Sequence, residues 1–356
     1  MIRALVLFLV GTGVALGQTQ GPVQRPSEDV TRIDPDGTAH ISRVVPLPPT
    51  ISPEAQAWLA GMRGEGTEKP LAERRAEAAD RQAQAAARMS KVYPTETRFE
   101  TLAGVPVGIV TPPSIPEAHR SRVYLNLHGG GFINDAGSVT ESVPIASLSQ
   151  TMVIAVLYRL APEHPFPAAV DDAVAVYRQL LTQHRAADIV IYGTSAGATL
   201  VSETAVRLKQ LQLPLPAALG IFSCRCDYSR FGESEELYNS RGFPGRRAPP
   251  SAAPPDPYPG KTDLRDPVLS PIFADCHGMP PTLFVTSTRD LLLSNTVMLH
   301  RAFLEAGVGA QLVVFEGLPH AFWNEFSLPE SREAHRLMVR FFEEHVGKPT
   351  GDLKTG

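Results

Sequence analysis

Apolar residues fall in short runs through the middle and end of the chain. Val123-Tyr124-Leu125-Asn126-Leu127-His128, 152–158, 189–192, 219–222, 283–286 and 311–315 each read as a strand. Between them the spacing changes. Val170, Val174, Tyr177 and Leu181 recur every three or four residues, which predicts a helix over 168–184, and 296–306 predicts another. Strands that are apolar throughout, separated by helices, predict a mostly parallel sheet covered on both faces. Residues 98–102 and 105–110 flank Ala103-Gly104 and predict a hairpin ahead of that sheet. Upstream, 52–89 is helical in pattern, with Ser52 where an N-cap belongs and Pro53 at the first helical position. The second helix of this segment is rich in Ala and has few large apolar residues, so it needs another surface to be stable.

The pattern divides the chain into five parts. Residues 1–17 begin with Met1-Ile2-Arg3, continue with an apolar run over 4–16 and end in Ala15-Leu16-Gly17, the pattern of a cleavable signal peptide. The run is broken by Gly11-Thr12-Gly13 and is short for a spanning helix, and no Cys follows it to carry a lipid. These features predict export to the periplasm or the exterior. Residues 18–50 are rich in Pro, Gly, Thr and Asp and predict a flexible arm. Residues 51–90 are the helical segment, 91–348 the main domain, and 349–356 a flexible tail. Within the main domain, 230–265 breaks the alternation with Gly, Pro and charge. It is too long for an ordinary connection and reads as an inserted lid or surface loop.

Composition narrows the function classes. A chain of 356 residues with 43% hydrophobic residues can bury a sizeable core, and a net charge of -4 provides no basic surface for nucleic acid. The cysteines are Cys224, Cys226 and Cys276. Either they are free, buried thiols, or one of the first two bridges to Cys276; Cys224 and Cys226 are too close together to pair easily. With no second Cys pair and no spaced His ligands, a metal site is not expected.

The most specific chemistry is Gly193-Thr194-Ser195-Ala196-Gly197 directly after the 189–192 strand. Gly-x-Ser-x-Gly at a strand-to-helix turn is a nucleophile elbow, in which the central hydroxyl stands exposed and the following helix points its N-terminus at the reacting atom. A serine nucleophile needs a base. His320, in Gly317-Leu318-Pro319-His320, follows the last strand, whereas His300 and His335 fall in helical patterns and His277 and His345 have weaker placements. The base needs an acid to orient it. Asp290 follows the 283–286 strand and gives the chain order Ser, Asp, His; Asp227, one strand earlier, is the alternative. His128-Gly129-Gly130-Gly131 ends another strand and provides backbone donors for an oxyanion. Gly129, Gly130 and Ala196 N–H are the expected donors, with His128 bracing the loop. A phosphate cradle is the weaker reading of these glycines, because no Gly-Lys-Ser/Thr follows.

Together these residues resemble the hormone-sensitive-lipase-like family of α/β-hydrolases, which includes bacterial esterases and arylacetamide deacetylase relatives. The resemblance runs over about 123–342. It is carried by His128-Gly129-Gly130-Gly131-Phe132, by the elbow, and by Tyr158-Arg159-Leu160-Ala161-Pro162-Glu163-His164-Pro165-Phe166-Pro167-Ala168-Ala169. It implies an α/β-hydrolase fold, hydrolysis of short acyl esters, no cofactor, and a helical cap built from 51–90, with 230–265 as its second piece. It also implies that the 158–169 stretch lies behind the site and braces the oxyanion loop. The chain departs from the family pattern at Thr194, where Asp is usual, after Asp290, where a later acidic pair is missing, and at Cys224 and Cys226. The expected function is a serine carboxylesterase. Amide or lactone hydrolysis on the same residues, or a non-catalytic small-molecule binder retaining the fold, are the alternatives. The expected partner is a small acyl ester, with no nucleic acid and no stable membrane span; a homodimer is compatible with the sequence.

Overall fold

The computed structural model describes residues 30–42, 45–62, 69–242 and 256–348. The signal-peptide pattern over 1–17 and the tail over 349–356 lie outside these. The chain divides into two compact units, 1–47 and 48–356.

In the first unit, β1 (Val30–Ile33) and β2 (Ala39–Ser42) pair antiparallel. This differs from the arm without fixed structure predicted over 18–50. The reason lies in Asp34-Pro35-Asp36-Gly37, a turn sequence. The Asp34 N–H donates to the Thr38 carbonyl (2.8 Å), the Thr38 N–H donates to Asp36 Oδ1 (2.9 Å), and Gly37 takes φ +89°.

The second unit is built on an eight-stranded sheet. Its strands are β3 (Glu96–Leu102), β4 (Val105–Thr111), β5 (Val123–Leu127), β6 (Met152–Val156), β7 (Ile189–Thr194), β8 (Ala218–Phe222), β9 (Thr282–Arg289) and β10 (Ala310–Pro319), in spatial order β10-β9-β8-β7-β5-β6-β4-β3. From β6 to β10 all pairings are parallel, and the β3–β4 hairpin adds on antiparallel at one edge. β5, β7 and β8 are buried at every residue, as strands inside a sheet covered on both faces must be. The covering helices are α3 (Ser142–Ser149), α4 (Ala168–Leu180), α5 (Ala196–Gln210), α7 (Leu293–Glu305) and α8 (Pro329–His345), with α6 (Glu233–Leu237) a short turn in the insertion. Helix α3 is not announced by the sequence: Ser-Val-Pro-Ile-Ala-Ser-Leu-Ser carries no helical period, and its residues are held by burial.

The helical segment forms α1 (Pro53–Gly61) and α2 (Leu71–Met89). Ser52 caps α1 as its position suggests: its Oγ accepts the Ala55 N–H at 3.1 Å. The same residue ties α1 to α8, because Glu330 accepts the Ser52 N–H at 2.6 Å and its hydroxyl at 2.9 Å. In the insertion, 243–255 lies outside the described residues. The part that follows is anchored. Tyr258 is buried, stacks on Phe132 at 3.4 Å between centroids, and donates its hydroxyl to Glu203 Oε2 at 2.5 Å. A lid that lifts freely does not describe this end of the insertion.

One core residue makes stability depend on pH. His335 in α8 is buried edge-on against Tyr93, and neither ring nitrogen has a partner among the described residues. Burial disfavours the imidazolium and pushes the His335 pKa from 6.5 down to about 4. The unfolded chain therefore takes up this proton first as pH falls, so stability is full above about 6.5 and is lost towards about 4, by roughly 3 kcal/mol at most. His335→Leu is expected to flatten the dependence of Tm on pH across this window. Equal pH slopes in the two proteins would contradict it.

Candidate active site

The elbow is built by close approach of backbone. A β-carbon on Gly197 would lie 1.8 Å from the Leu127 carbonyl oxygen, and one on Gly193 would lie 2.3 Å from the same atom, so only glycine lets β7 and α5 meet β5 here. Ser195 between them sits at φ 59°, ψ −123°, a region that costs a non-glycine residue about 1–3 kcal/mol. The strain is held by the frame: the Ser195 N–H donates to the Phe222 carbonyl at the end of β8 (2.9 Å), and the α5 backbone returns to the Ser195 carbonyl through the Thr199 N–H (3.0 Å). The serine side chain remains partly exposed, and its hydroxyl bonds to no other described residue.

His320 lies just beyond β10. Its Nδ1 is 2.9 Å from Asp290 Oδ1, and Asp290 is fully buried at the end of β9. Asp290 Oδ1 also accepts the Leu292 N–H (2.8 Å), and Oδ2 accepts the hydroxyls of Ser223 (2.5 Å) and Thr286 (3.2 Å). Burial pushes this carboxyl up, but the His320 charge and the hydrogen bonds from His320, Ser223 and Leu292 outweigh it. The group is held below the ordinary carboxylate range. An ionised acceptor at Nδ1 fixes the proton there and leaves Nε2 as the free acceptor of the ring.

Two links bring the His320 loop to the elbow. Trp323, three residues on, donates its indole N–H to Thr194 Oγ1 at 3.0 Å. Ser223, directly after the Phe222 that holds the Ser195 N–H, lies 3.0 Å from His320 Nδ1. Thr194 is thus the acceptor for a buried Trp, a role that a threonine hydroxyl fills without bringing a charge next to Ser195. The alternative acid, Asp227, is turned elsewhere. It accepts the Ser229 N–H (2.8 Å), the Ser229 hydroxyl (2.6 Å) and Arg230 Nε (2.7 Å), closing the turn after β8. The other histidines are also apart from this cluster: His277 pairs with Asp275, His300 packs edge-on to Phe284, and His345 bonds the Phe341 carbonyl. Cys224, Cys226 and Cys276 are buried and unbridged.

The glycine loop lies against the elbow, with the Cβ position of Gly129 3.4 Å from Ser195 Cβ. Its donors differ from expectation in one place. The Gly129 N–H donates to Glu141 Oε1 at 3.1 Å and is turned away from any ligand. The N–H groups of Gly130, Gly131 and Ala196 bond to no described residue. Gly129 is therefore replaced by Gly131 in the set of available donors. His128 is buried, as a brace should be. Its ring stacks on Tyr158 at 4.2 Å, and the Tyr158 hydroxyl donates to the His128 carbonyl at 2.6 Å. The Ala161 N–H donates to the Phe132 carbonyl at 2.8 Å, so the 158–169 stretch supports the loop from behind.

Glu141 is the residue sequence reasoning missed most completely, since nothing around a single Glu twelve positions after Gly129 announces it. Burial pushes its carboxyl up to about 8, so it is largely neutral at pH 7. Its other oxygen accepts Asn126 Nδ2 at 3.1 Å, while Asn126 Oδ1 is buried without a partner among the described residues. Glu141→Gln has the shape of the neutral acid, and a flipped Asn126 amide can accept its NH2. That variant is expected to keep turnover within about threefold, whereas Glu141→Ala releases the Gly129 N–H and lowers kcat by about 10- to 100-fold. Steady-state kinetics on both variants check this, and wild-type turnover in Glu141→Ala would refute it.

A family model described as alpha/beta hydrolase fold matches residues 124–324. An acetyl-hydrolase of Streptomyces hygroscopicus is 32% identical over 65% of this chain and 79% of its own length. Among solved structures, esterase E25 superposes with a TM-score of 0.74 at 29% identity, over 86% of this chain and 98% of its own. A hormone-sensitive lipase from a metagenome library superposes at 0.68 with 28% identity, over 80% of this chain and 94% of its own. With the elbow, the Asp290–His320 pair and the glycine loop set on this sheet, the chain belongs to the α/β-hydrolase family, in its hormone-sensitive-lipase-like branch.

Proposed function

We propose that the chain is a serine carboxylesterase that hydrolyses short acyl esters through an acyl-enzyme. The observation that carries this reading is the 2.9 Å bond between Asp290 and His320 in the same frame as a strained, partly exposed Ser195. In the proposed reaction His320 Nε2 takes the proton of Ser195 Oγ as that oxygen bonds to the ester carbonyl carbon. Asp290 holds the imidazole and stabilises the imidazolium that forms. The carbonyl oxygen becomes the oxyanion, received by the N–H groups of Gly130, Gly131 and Ala196. His320 then returns the proton to the departing alkoxide, leaving the acyl group on Ser195. Water, deprotonated by the same nitrogen, attacks the acyl carbon, and His320 returns that proton to Ser195 Oγ as the free acid leaves. The acetyl-hydrolase relative supports a short acyl group.

A fluorophosphonate probe tests the assignment. Labelling at Ser195, together with turnover of p-nitrophenyl acetate, is expected, and failure of both would leave a binding protein. The leader pattern over 1–17 supports the further proposal that the chain is exported, which N-terminal sequencing of the mature protein checks. Among the described residues no helix is long and apolar enough to cross a membrane. A homodimer is compatible with this reading, and light scattering reads it directly.

A further inference from the structure

We propose that Arg75 and Gln82 of α2 are positioning residues that set the oxyanion loop, so that the cap segment governs the chemical step and not only access. The proposal rests on the esterase reading. The two residues are seven apart, two helical turns, and so share one face of α2. Gln82 Oε1 accepts the N–H groups of Val139 (3.0 Å) and Thr140 (3.3 Å). The next residue is Glu141, which holds the Gly129 N–H. Arg75 binds the other end of the loop. Its Nε donates to the Ile133 carbonyl at 2.7 Å and its Nη2 to the Ala161 carbonyl at 3.0 Å, while Glu163 holds the guanidinium in a two-point pair at 2.7 and 2.8 Å. The stretch that begins at the oxyanion glycines and ends at Glu141 is thus gripped on both sides by one helix.

Ala78, Ala85 and Met89, buried on the same face, seat the helix, and Arg75 and Gln82 add the directional bonds to the loop. A cavity of 670 Å³ opens between α2 and the loop, lined by Arg75, Ala79 and Gln82 on one side and Asp135, Ser138 and Val139 on the other. Ala79, Ala83 and Ala86 leave this space open, and the side chains of Arg75 and Gln82 reach the loop beside it through hydrogen bonds. Donors aimed at a developing charge lose much of their effect when displaced by as little as an ångström. Releasing either grip is therefore a loss of transition-state stabilisation with little change in ground-state binding.

The test is steady-state kinetics of Gln82→Met, Arg75→Met and Gln82→Glu on p-nitrophenyl acetate, with active sites titrated by the fluorophosphonate probe. The titration divides out any unfolded fraction. Per titrated site, kcat is expected to fall about tenfold in the two Met variants with KM within about twofold, and Gln82→Glu, which keeps an acceptor oxygen, is expected to stay within about threefold of wild type. Unchanged kcat per site in both Met variants overturns the proposal, as does a raised KM at constant kcat, which would make α2 a wall of the substrate pocket. Absence of both labelling and turnover in the wild-type chain overturns the esterase reading itself, and the proposal with it.

Discussion

Ser195→Ala is expected to abolish ester turnover and fluorophosphonate labelling, with kcat lower by about 10⁴- to 10⁶-fold, because no other group at the site can form the acyl-enzyme. His320→Ala is expected to cost nearly as much, since members of such a set act as a unit. Neither loss should come from unfolding. Alanine at 195 inherits the same positive φ and makes no new contact, so Tm should hardly move. Ser195→Gly separates strain from chemistry. Glycine accepts φ 59°, ψ −123° without penalty, so this variant should be as inactive as Ser195→Ala yet more stable by about 1 kcal/mol. Thermal unfolding of the two variants beside ester hydrolysis reads both effects. Turnover in His320→Ala at the wild-type rate would remove His320 from the mechanism, and a less stable Ser195→Gly would mean that the elbow is not strained.

What could be read from the chain and what could not follow a physical divide. The strands were legible because a sheet covered on both faces favours apolar residues on both sides of each strand, and 123–127 (but for Asn126), 189–192 and 219–222 are written that way. Strand ends were less so. β9 and β10 run past their apolar cores to Arg289 and Pro319, held by pairing with one another rather than by their own composition. At the site, Ser195 announced itself because the elbow is a local backbone problem that only closely spaced glycines solve. Asp290 and His320 followed from position after a strand and chain order. The direction of the Gly129 N–H is not legible in the sequence, because it is set by Glu141, a contact made by the fold. Ser223 is hidden for the same reason: one hydroxyl after β8 looks like a turn residue until β9 and β10 bring Asp290 and His320 to it.

Asp290→Asn is the second change expected to have a very large effect, and it tests the direction of a proton rather than the presence of a group. The carboxylate now accepts four hydrogen bonds, from His320, Ser223, Thr286 and the Leu292 N–H. An amide keeps the volume but has only one oxygen. If that oxygen stays with the Leu292 N–H and His320, the amide nitrogen meets the hydroxyls of Ser223 and Thr286, which can turn to accept. If it turns instead to the hydroxyls, the nitrogen donates to His320 Nδ1 and drives the ring proton to Nε2, where it blocks the approach of Ser195 Oγ. In either case no negative charge remains to stabilise the imidazolium. We expect kcat to fall by about 10³- to 10⁴-fold with KM changed little, because Asp290 is fully buried and acts through His320. Ser223→Ala should cost far less, since the carboxylate keeps its charge and its other donors. Asp227→Asn should leave kcat near wild type while loosening the 227–230 turn, because the bonds of Asp227 go to Ser229 and Arg230. A damaging Asp227→Asn beside an active Asp290→Asn would move the acid one strand earlier in the chain.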